Sequence, residues 1–520
     1  MNADGWILAI DLGNGGPKVG VIDRDDRLRA VVVRSVAVHI GMDGAATQDA
    51  VEWWRTLVEA AHEAIAASGV SADDLHAVAL TGQWASTVPV DGLGNPVGDV
   101  LLWADTRAGK YTREVIGGPV NYQGFAPQRV IPWIRKTGGA PTPSGADPTG
   151  HSLLLQHEYP EIHERAVHLL EPLDYLGMRF TGRAAATPAS MTASWLTDNR
   201  IGREHGYDEE LVARSRRDPR KLPPLLPTGS VLGPVTPDVA AELGVRAGVP
   251  VVTGIPDLHA AVLGSGAVEP YATHLAISTT AWFGARVPFK KTDILHMIAT
   301  VPGLDSDHRV VANNVETGGA ALRWLKEQVY PDLDYEELTA LAASAPAGCE
   351  GLIFTPWLNG ERSPVEDRRL RASFLNVSLR TDRAAMIRAV MEGVALNARW
   401  LFDYYVKFLG RQPPYVRIIG GGAQSDLWCQ MHAYVLGVPV ERPAEPRDAQ
   451  LRGAALWARI CLGEMTIEEA GRRTVVTDTF LPDGPDAAVY AAHYEQFRRL
   501  YGSLRETQKR LVRLSFPPSP

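Results

Sequence analysis

The same strand-turn-strand pattern occurs twice in this chain, about half its length apart. Residues 6–10 are an apolar run ending at Asp11, a glycine-rich turn follows, and residues 19–22 form a second run leading into a polar segment. This spacing predicts a β-hairpin. Downstream, His274-Leu275-Ala276-Ile277 leads into Ser278-Thr279-Thr280 and a further apolar run over residues 282–287. The offset from Asp11 to Ser278 is 267 residues in a chain of 520. Two such units predict two structurally related lobes, divided near residue 250 into 1–250 and 251–520, rather than a tandem array of short repeats.

The residues between the hairpins read as α/β. Val51, Trp54, Val58, Ala61 and Ile65 follow helical spacing, and residues 77–80 read as a buried strand ending at Thr81-Gly82. Residues 136–150, rich in Gly, Pro, Ser and Thr, are expected to form an exposed loop. The proline-rich residues 222–237 read as an extended connection before the second lobe. A helix is expected over 382–409, with Thr381 as its N-cap and Gly410 as its stop. Tyr490, Tyr494, Phe497, Tyr501, Leu504 and Leu511 make a later helical stripe whose expected role is core packing.

Composition narrows the partners. With 45% apolar and 22% charged residues the chain has globular usage, which argues against long disordered, collagen-like or coiled-coil structure. Its formal charge of −8 carries no electrostatic footprint for nucleic acid, and the local run Arg214, Arg216, Arg217, Arg220, Lys221 is read as a solvated loop. Three scattered cysteines, Cys349, Cys429 and Cys461, form neither a disulfide framework nor a C-x-x-C site and favour a reducing compartment. No apolar run approaches the ~18 residues of a membrane helix. Asp4 and Asp11 flank the first apolar run with no basic residue before it, so it does not read as a secretory signal. A cytoplasmic protein with no membrane partner is expected.

Three glycine-rich or acidic turns could handle a phosphate or nucleotide. Asp11-Leu12-Gly13-Asn14-Gly15-Gly16-Pro17-Lys18 supplies a carboxylate at a strand end, amides that can approach an anion, and a cation. The same residues also suit a plain hairpin turn, and they match neither a P-loop nor G-x-G-x-x-G. Residues 415–419 run into Gly420-Gly421-Gly422-Ala423-Gln424-Ser425-Asp426, a turn against which a flat ring or phosphate could lie. Glu441 stands 19 positions after Gly422, about where a dinucleotide fold keeps its ribose-binding acid, so an NAD-dependent dehydrogenase and a plain tight turn both stay open. Asp257 begins an apolar helix, where capping and a cleft-facing role are compatible. Gln83, Trp84 and Ala85, and Trp103, Asp105 and Arg107, combine strand ends with amide, carboxylate and aromatic groups. Such mixtures suit a polyhydroxylated ligand, with ordinary core tryptophans as the alternative. No close His/Cys set suggests a protein-caged zinc.

Taken together, these pieces resemble the FGGY carbohydrate kinases, and among them most closely the xylulokinases. The matching residues are Ile10-Asp11-Leu12-Gly13 with Lys18, Gly82-Gln83, Leu102-Trp103 with Asp105 and Arg107, Asp257 with Ala260-Ala261, and Ser278-Thr279-Thr280. Further on come Pro356-Trp357-Leu358-Asn359-Gly360-Glu361-Arg362-Ser363-Pro364, Met391-Glu392-Gly393 and Gly420-Gly421-Gly422-Ala423-Gln424-Ser425. The resemblance implies two ribonuclease H-like lobes of the actin/hexokinase/Hsp70 type, an α/β fold with a central cleft. It implies ATP and Mg²⁺ as cofactors and phosphorylation of a ketose or polyol hydroxyl, D-xylulose leading. Asp257 would be the base and Asp11 would help hold Mg²⁺. Gly13, Asn14, Gly15 and Lys18, with Ser278, Thr279 and Thr280, would cradle phosphates. Gly420, Gly421, Gly422, Ala423 and Asp426 would lie on the adenosine. Gln83, Trp84, Ala85, Trp103, Asp105, Asp257 and Leu258 would line the sugar, and the resemblance allows a homodimer.

The chain departs from the pattern at four places, one of them the first phosphate loop, which Asn14 and Pro17 modify. Trp84-Ala85 stands where xylulokinases usually have Met-His, Leu258 where they have Asn, and Ser278 where the second loop usually has Gly. The changes at Trp84-Ala85 and Leu258 remove hydrogen-bonding groups from the sugar and point toward a different ketose or polyol. A non-catalytic sugar-binding paralogue is the further alternative.

Overall fold

A computed structural model describes residues 5–121, 124–203 and 206–515. Asp4 lies outside the described residues. The two expected hairpins are present: Trp6–Gly13 pairs antiparallel with Gly16–Ile22, and Thr273–Ile277 with Ala281–Val287. Each sits at the centre of its own sheet. In the first sheet the order is Val231–Pro234, Pro250–Val252, Leu75–Gly82, Trp6–Gly13, Gly16–Ile22, Leu28–Val33, with Ile255–Pro256 also on Leu75–Gly82. In the second, Val440–Pro443, Val416–Ile419, Thr273–Ile277, Ala281–Val287 and Arg309–Ala312 repeat the inner part of that order, with further antiparallel strands at both edges.

The pairing senses match as well as the order. Each hairpin's first strand has a parallel partner, Leu75–Gly82 or Val416–Ile419, and its second an antiparallel one, Leu28–Val33 or Arg309–Ala312. This is the duplicated core that the resemblance implies. The first sheet extends past the boundary expected at residue 250, because its last strand ends at Pro256.

Both faces of the central strands are buried, which is why they read as continuous apolar runs. Leu8, Ile10 and Leu12 pack outward under helix Ala50–Ser68, and Ile7 and Ala9 pack inward. That helix starts on Asp49, whose side chain accepts the Val51 amide, and stops at left-handed Gly69.

Two helices fill the space between the sheets. Ala449–Cys461 lies on the inner face of the first sheet, and Asp257–Ser265 lies mainly on the second. They touch backbone to backbone: a methyl added at Gly264 would meet the Ala449 carbonyl, and one at Gly453 would meet that of Ala260. Below them, buried Asp26 accepts Arg459 Nε at 2.9 Å and Arg473 Nη1 at 2.6 Å, tying the first lobe to the second by charge.

Four local expectations are corrected. Residues 136–150 are largely enclosed, with Ser144 the one exposed residue, because Asp147 accepts both the amide and the hydroxyl of Thr142 and caps helix Pro148–Glu158. The proline-rich 222–237 stretch is no free connection: Val231–Pro234 is an edge strand, where proline's missing donor is tolerated. Arg217 of the basic run is buried beside Tyr207, Asp147 and Glu171, not solvated. The cap of Arg383–Leu409 is Asp382, which accepts the Ala385 amide, one residue after Thr381; Gly410 ends the helix as expected. In the last helix Tyr490, Tyr494 and Phe497 join the second lobe's core, whereas Leu511 is exposed. No helix among the described residues is long and apolar enough to cross a membrane.

The helix contact gives a direct test. Gly453→Ala must push two backbones apart and should cost about 1–3 kcal/mol or more, read as a lower urea midpoint with unchanged slope. A wild-type midpoint would show that the helices are not in contact.

Candidate active site

The strand ends of both hairpins and the start of helix Asp257–Ser265 converge between the lobes. Asp11 is cross-strand from Lys18, and two strands away Ile255–Pro256 pairs with Thr81-Gly82 and delivers Asp257. The two carboxylates feel each other. Burial, then the Asp11 charge, push Asp257 up to about 7, against the Leu258 amide donating to it at 2.7 Å. Burial also raises Asp11, which Lys18 opposes and Asp448 reinforces. Asp257 is the first helical residue, with Pro256 in the cap position, and its side chain takes the Leu258 amide of the helix's first turn.

The first turn is held from below. The carbonyl of Asn14 accepts Gln48 Nε2 at 3.0 Å and that of Gly15 accepts the Val36 amide at 2.9 Å, while Asn14 and Gly15 stay exposed. Lys18 does not stand free beside the turn as its expected role required. Its ammonium donates to the Arg447 carbonyl and pairs with Asp448, both at 3.1 Å, because the second lobe brings an acceptor pair against the hairpin.

The second turn is wrapped by residues 315–320. Gly319 N donates to Ser278 O at 2.6 Å, and Gly318 N and Ala320 N donate to Thr279 O, leaving Ser278 and Thr279 exposed and Thr280 half-buried. Beside it lies the third turn. Gly420 has φ 91°, its amide donates to Pro446 O, and a side chain there would strike Ile277 O. Gly421 faces open space, Gly422 lies against Ile277, Ala423 is buried, and exposed Asp426 pairs with Arg442 at 2.7 Å. Glu441, the alternative ribose acid, is instead paired with Arg417 at 3.0 Å.

The expected sugar residues divide into two groups. Trp84, Ala85 and Trp103 are half-buried, and the Ser86 hydroxyl, accepting the Trp103 amide, joins their two segments. Ala85 has φ 64°, a left-handed position. Leu258 presents a buried apolar surface beside Asp257. Asp105, by contrast, is fully enclosed. Its oxygens take Arg107 Nε, Nη2 and backbone N and the Ala46 amide, so it braces the site from behind and offers a sugar no free lone pair. Gln83 is buried, with neither side-chain amide atom partnered among the described residues.

The reading of single residues missed one group. Glu361 is fully buried, pushed up to about 7 by burial, and accepts Asn397 Nδ2 at 2.6 Å and the amides of Glu316 and Arg362. Only the family motif flags it, because its partners lie 36 and 45 residues away.

Two duplicated lobes, paired carboxylates at strand ends and two opposed hairpin turns define a phosphotransferase of the actin/hexokinase type. The descriptions of the FGGY family of carbohydrate kinases match this chain at residues 6–264 for the N-terminal domain and 279–461 for the C-terminal domain. The chain belongs to that family and is a sugar kinase that uses ATP. It is 27% identical to a xylulose kinase of Staphylococcus epidermidis over 525 residues, covering 98% of this chain and 99% of the relative. Among solved structures it is similar to a ligand-bound xylulose kinase of Lactobacillus acidophilus, with TM-score 0.83, 22% identity and coverage of 97% and 99%. A gluconate kinase of the same organism shares the fold at TM-score 0.81 and 22% identity, covering 96% and 98%. The dehydrogenase alternative falls with this membership and with the pairing of Glu441.

The carboxylate pair sets a pH dependence. Asp257 holds its proton to about 7 in the folded protein and loses it near ~4 when unfolded, so the fold binds more protons between those values and loses stability as pH rises through them. Asp257→Asn should therefore raise the unfolding free energy by roughly 1–3 kcal/mol at pH 8 and by little at pH 4. Denaturant titrations at both pH values check this, and an equal increment at both would refute the assignment.

Proposed function

We propose that this chain transfers the γ-phosphoryl group of MgATP to a hydroxyl of a ketose or polyol, with D-xylulose the leading substrate. The observation that carries the proposal is Asp257: a carboxylate delivered by Ile255–Pro256 beside the Thr81-Gly82 strand end, with its pKa brought near neutrality by enclosure and by Asp11. A base with that pKa accepts the proton of the attacking hydroxyl and is about half ionised near pH 7, more so above it. The similarity to xylulose kinases supports a xylulose substrate.

Among the described residues no group of three or more His, Cys, Asp or Glu forms a cation cage. The raised Asp11 carboxylate fits an ion that arrives with the nucleotide phosphates and keeps most of its water, as Mg²⁺ does. When bound, that ion would neutralise charge on the transferred phosphoryl group. The protein's own share is positioning. Exposed Asn14 and Gly15 on one side and Ser278 and Thr279 on the other would hold phosphate oxygens, and Gly421 with its neighbours would take the adenosine. Lys18, by fastening the first turn to Arg447 and Asp448, would fix the distance between phosphate and adenosine sites rather than contact phosphate itself.

Trp84, Ala85, Trp103 and Leu258 favour a second substrate reading in the same class. Ala85 and buried Leu258 offer no side-chain hydrogen bond to sugar hydroxyls, so another ketose or polyol that presents C–H surface there would bind better than D-xylulose.

ADP release measured across pentuloses, hexuloses, heptuloses, pentitols, tetritols and glycerol decides between these readings. The proposal expects sugar-dependent release that rises with pH to a plateau above about 7. It also expects release to fall by about 10²–10⁴ in Asp257→Ala while ATP binding persists. No release with any sugar would identify a non-catalytic paralogue, and full turnover in Asp257→Ala would remove the base assignment.

A further inference from the structure

The motif Gly360-Glu361-Arg362-Ser363-Pro364 belongs to the second lobe, yet its arginine reaches the first. The Arg362 guanidinium lies 5.6 Å from the centre of the Trp103 ring, within cation–π range. Its Nε donates to Glu316 Oε2 at 2.9 Å, and Glu316 is itself fixed by Asn359 Nδ2 at 3.0 Å and Arg368 Nη1 at 3.1 Å. The two Nη groups of Arg362 have no hydrogen-bond partner among the described residues. A planar cation, anchored along one edge and lying over the Trp103 ring, thus keeps unused donors beside the residues that would line the sugar.

The anchor is also connected to the phosphate side. One oxygen of buried Glu361 accepts the Glu316 amide at 2.7 Å and the Arg362 amide at 2.8 Å. Residues 315–320, which contain Glu316, wrap the Ser278–Thr280 turn through the bonds from Gly318, Gly319 and Ala320. The path from Trp103 to the second phosphate turn is therefore continuous through Arg362, Glu361 and Glu316, with each link made by a hydrogen bond or ring contact.

We propose that Arg362 is the second lobe's donor to the bound sugar and that, through Glu361 and Glu316, it couples sugar occupancy to the geometry of the second phosphate turn. This rests on the kinase reading above. A sugar hydroxyl that completes the hydrogen bonding of Arg362 draws the lobes together, and the same movement sets residues 315–320 against Ser278 and Thr279. Coupling of this kind is reciprocal, so sugar should tighten nucleotide by the factor by which nucleotide tightens sugar.

The test uses the full-length protein with MgATP and D-xylulose, or whichever sugar of the panel gives the highest ADP release. Arg362→Gln should raise the sugar KM about three- to thirtyfold, the span expected for a cation–π contact and donors lost together. Nucleotide affinity without sugar should stay unchanged, and the tightening of nucleotide by sugar should shrink toward onefold. Arg362→Lys, which keeps the charge but not the fork, should recover only part of the KM. Glu316→Gln, which loosens the anchor and leaves the guanidinium, should move both readouts in the same direction by less. Wild-type KM and undiminished coupling in Arg362→Gln, with an active parent, would overturn this inference alone. An inactive parent would remove the kinase reading and this inference with it.

Discussion

The crossing of Asp257–Ser265 on Ala449–Cys461 is the contact on which the arrangement of the site depends. Gly264 and Gly453 let the two backbones meet, and any larger residue would hold the helices apart. One of these helices begins with Asp257, the proposed base, and the other begins beside Asp448, which receives Lys18 from the first hairpin turn. The spacing between Asp257, the first hairpin turn and the Gly420 turn is thus inherited from a packing distance in the interior. Precision of this kind is cheaper to hold in a helix interface than in loops, because close-packed interiors resist deformation.

Within that frame the site is built against its own stability. Asp11 and Asp257 are enclosed near each other, with burial raising both and only Lys18 among their leading influences pulling Asp11 back. A carboxylate pair of this type favours a cation and a proton acceptor role, at the expense of folding free energy at neutral pH. Glu361 shows the same burial without the same function: its hydrogen bonds from Asn397 and two amides give it a bracing role under Arg362.

Much of this was legible in the sequence, for identifiable reasons. The hairpins and the buried strand at Leu75–Gly82 announced themselves because both faces are covered and the apolar runs are unbroken. The Gly420 turn was visible because a side chain there would strike Ile277. What sequence could not show was pairing at a distance. Lys18 looked like a phosphate ligand until Asp448, 430 positions later, was placed against it. Asp105 looked like a sugar ligand until Arg107 and Ala46 enclosed it. Residues 136–150 had loop composition and Arg217 sat in a charged run, yet Asp147 folds the first back and enclosure among polar groups takes in the second. Thr381 and Asp382 are both good caps, and only the backbone shows which one the helix uses.

The duplicated order of strands suggests two copies of one folding unit, but the two interior helices contradict their independence. Each sheet's inner face is covered by a helix that comes after residue 250, and for the first sheet that helix begins at Ala449. A chain cut between the copies would leave Ile7, Ala9, Ala77 and Ala79 bare along a whole side of the first sheet. The symmetry is therefore one of strand order and not of independent packing: the first copy's inner face is covered by helices that lie beyond residue 250 in the chain.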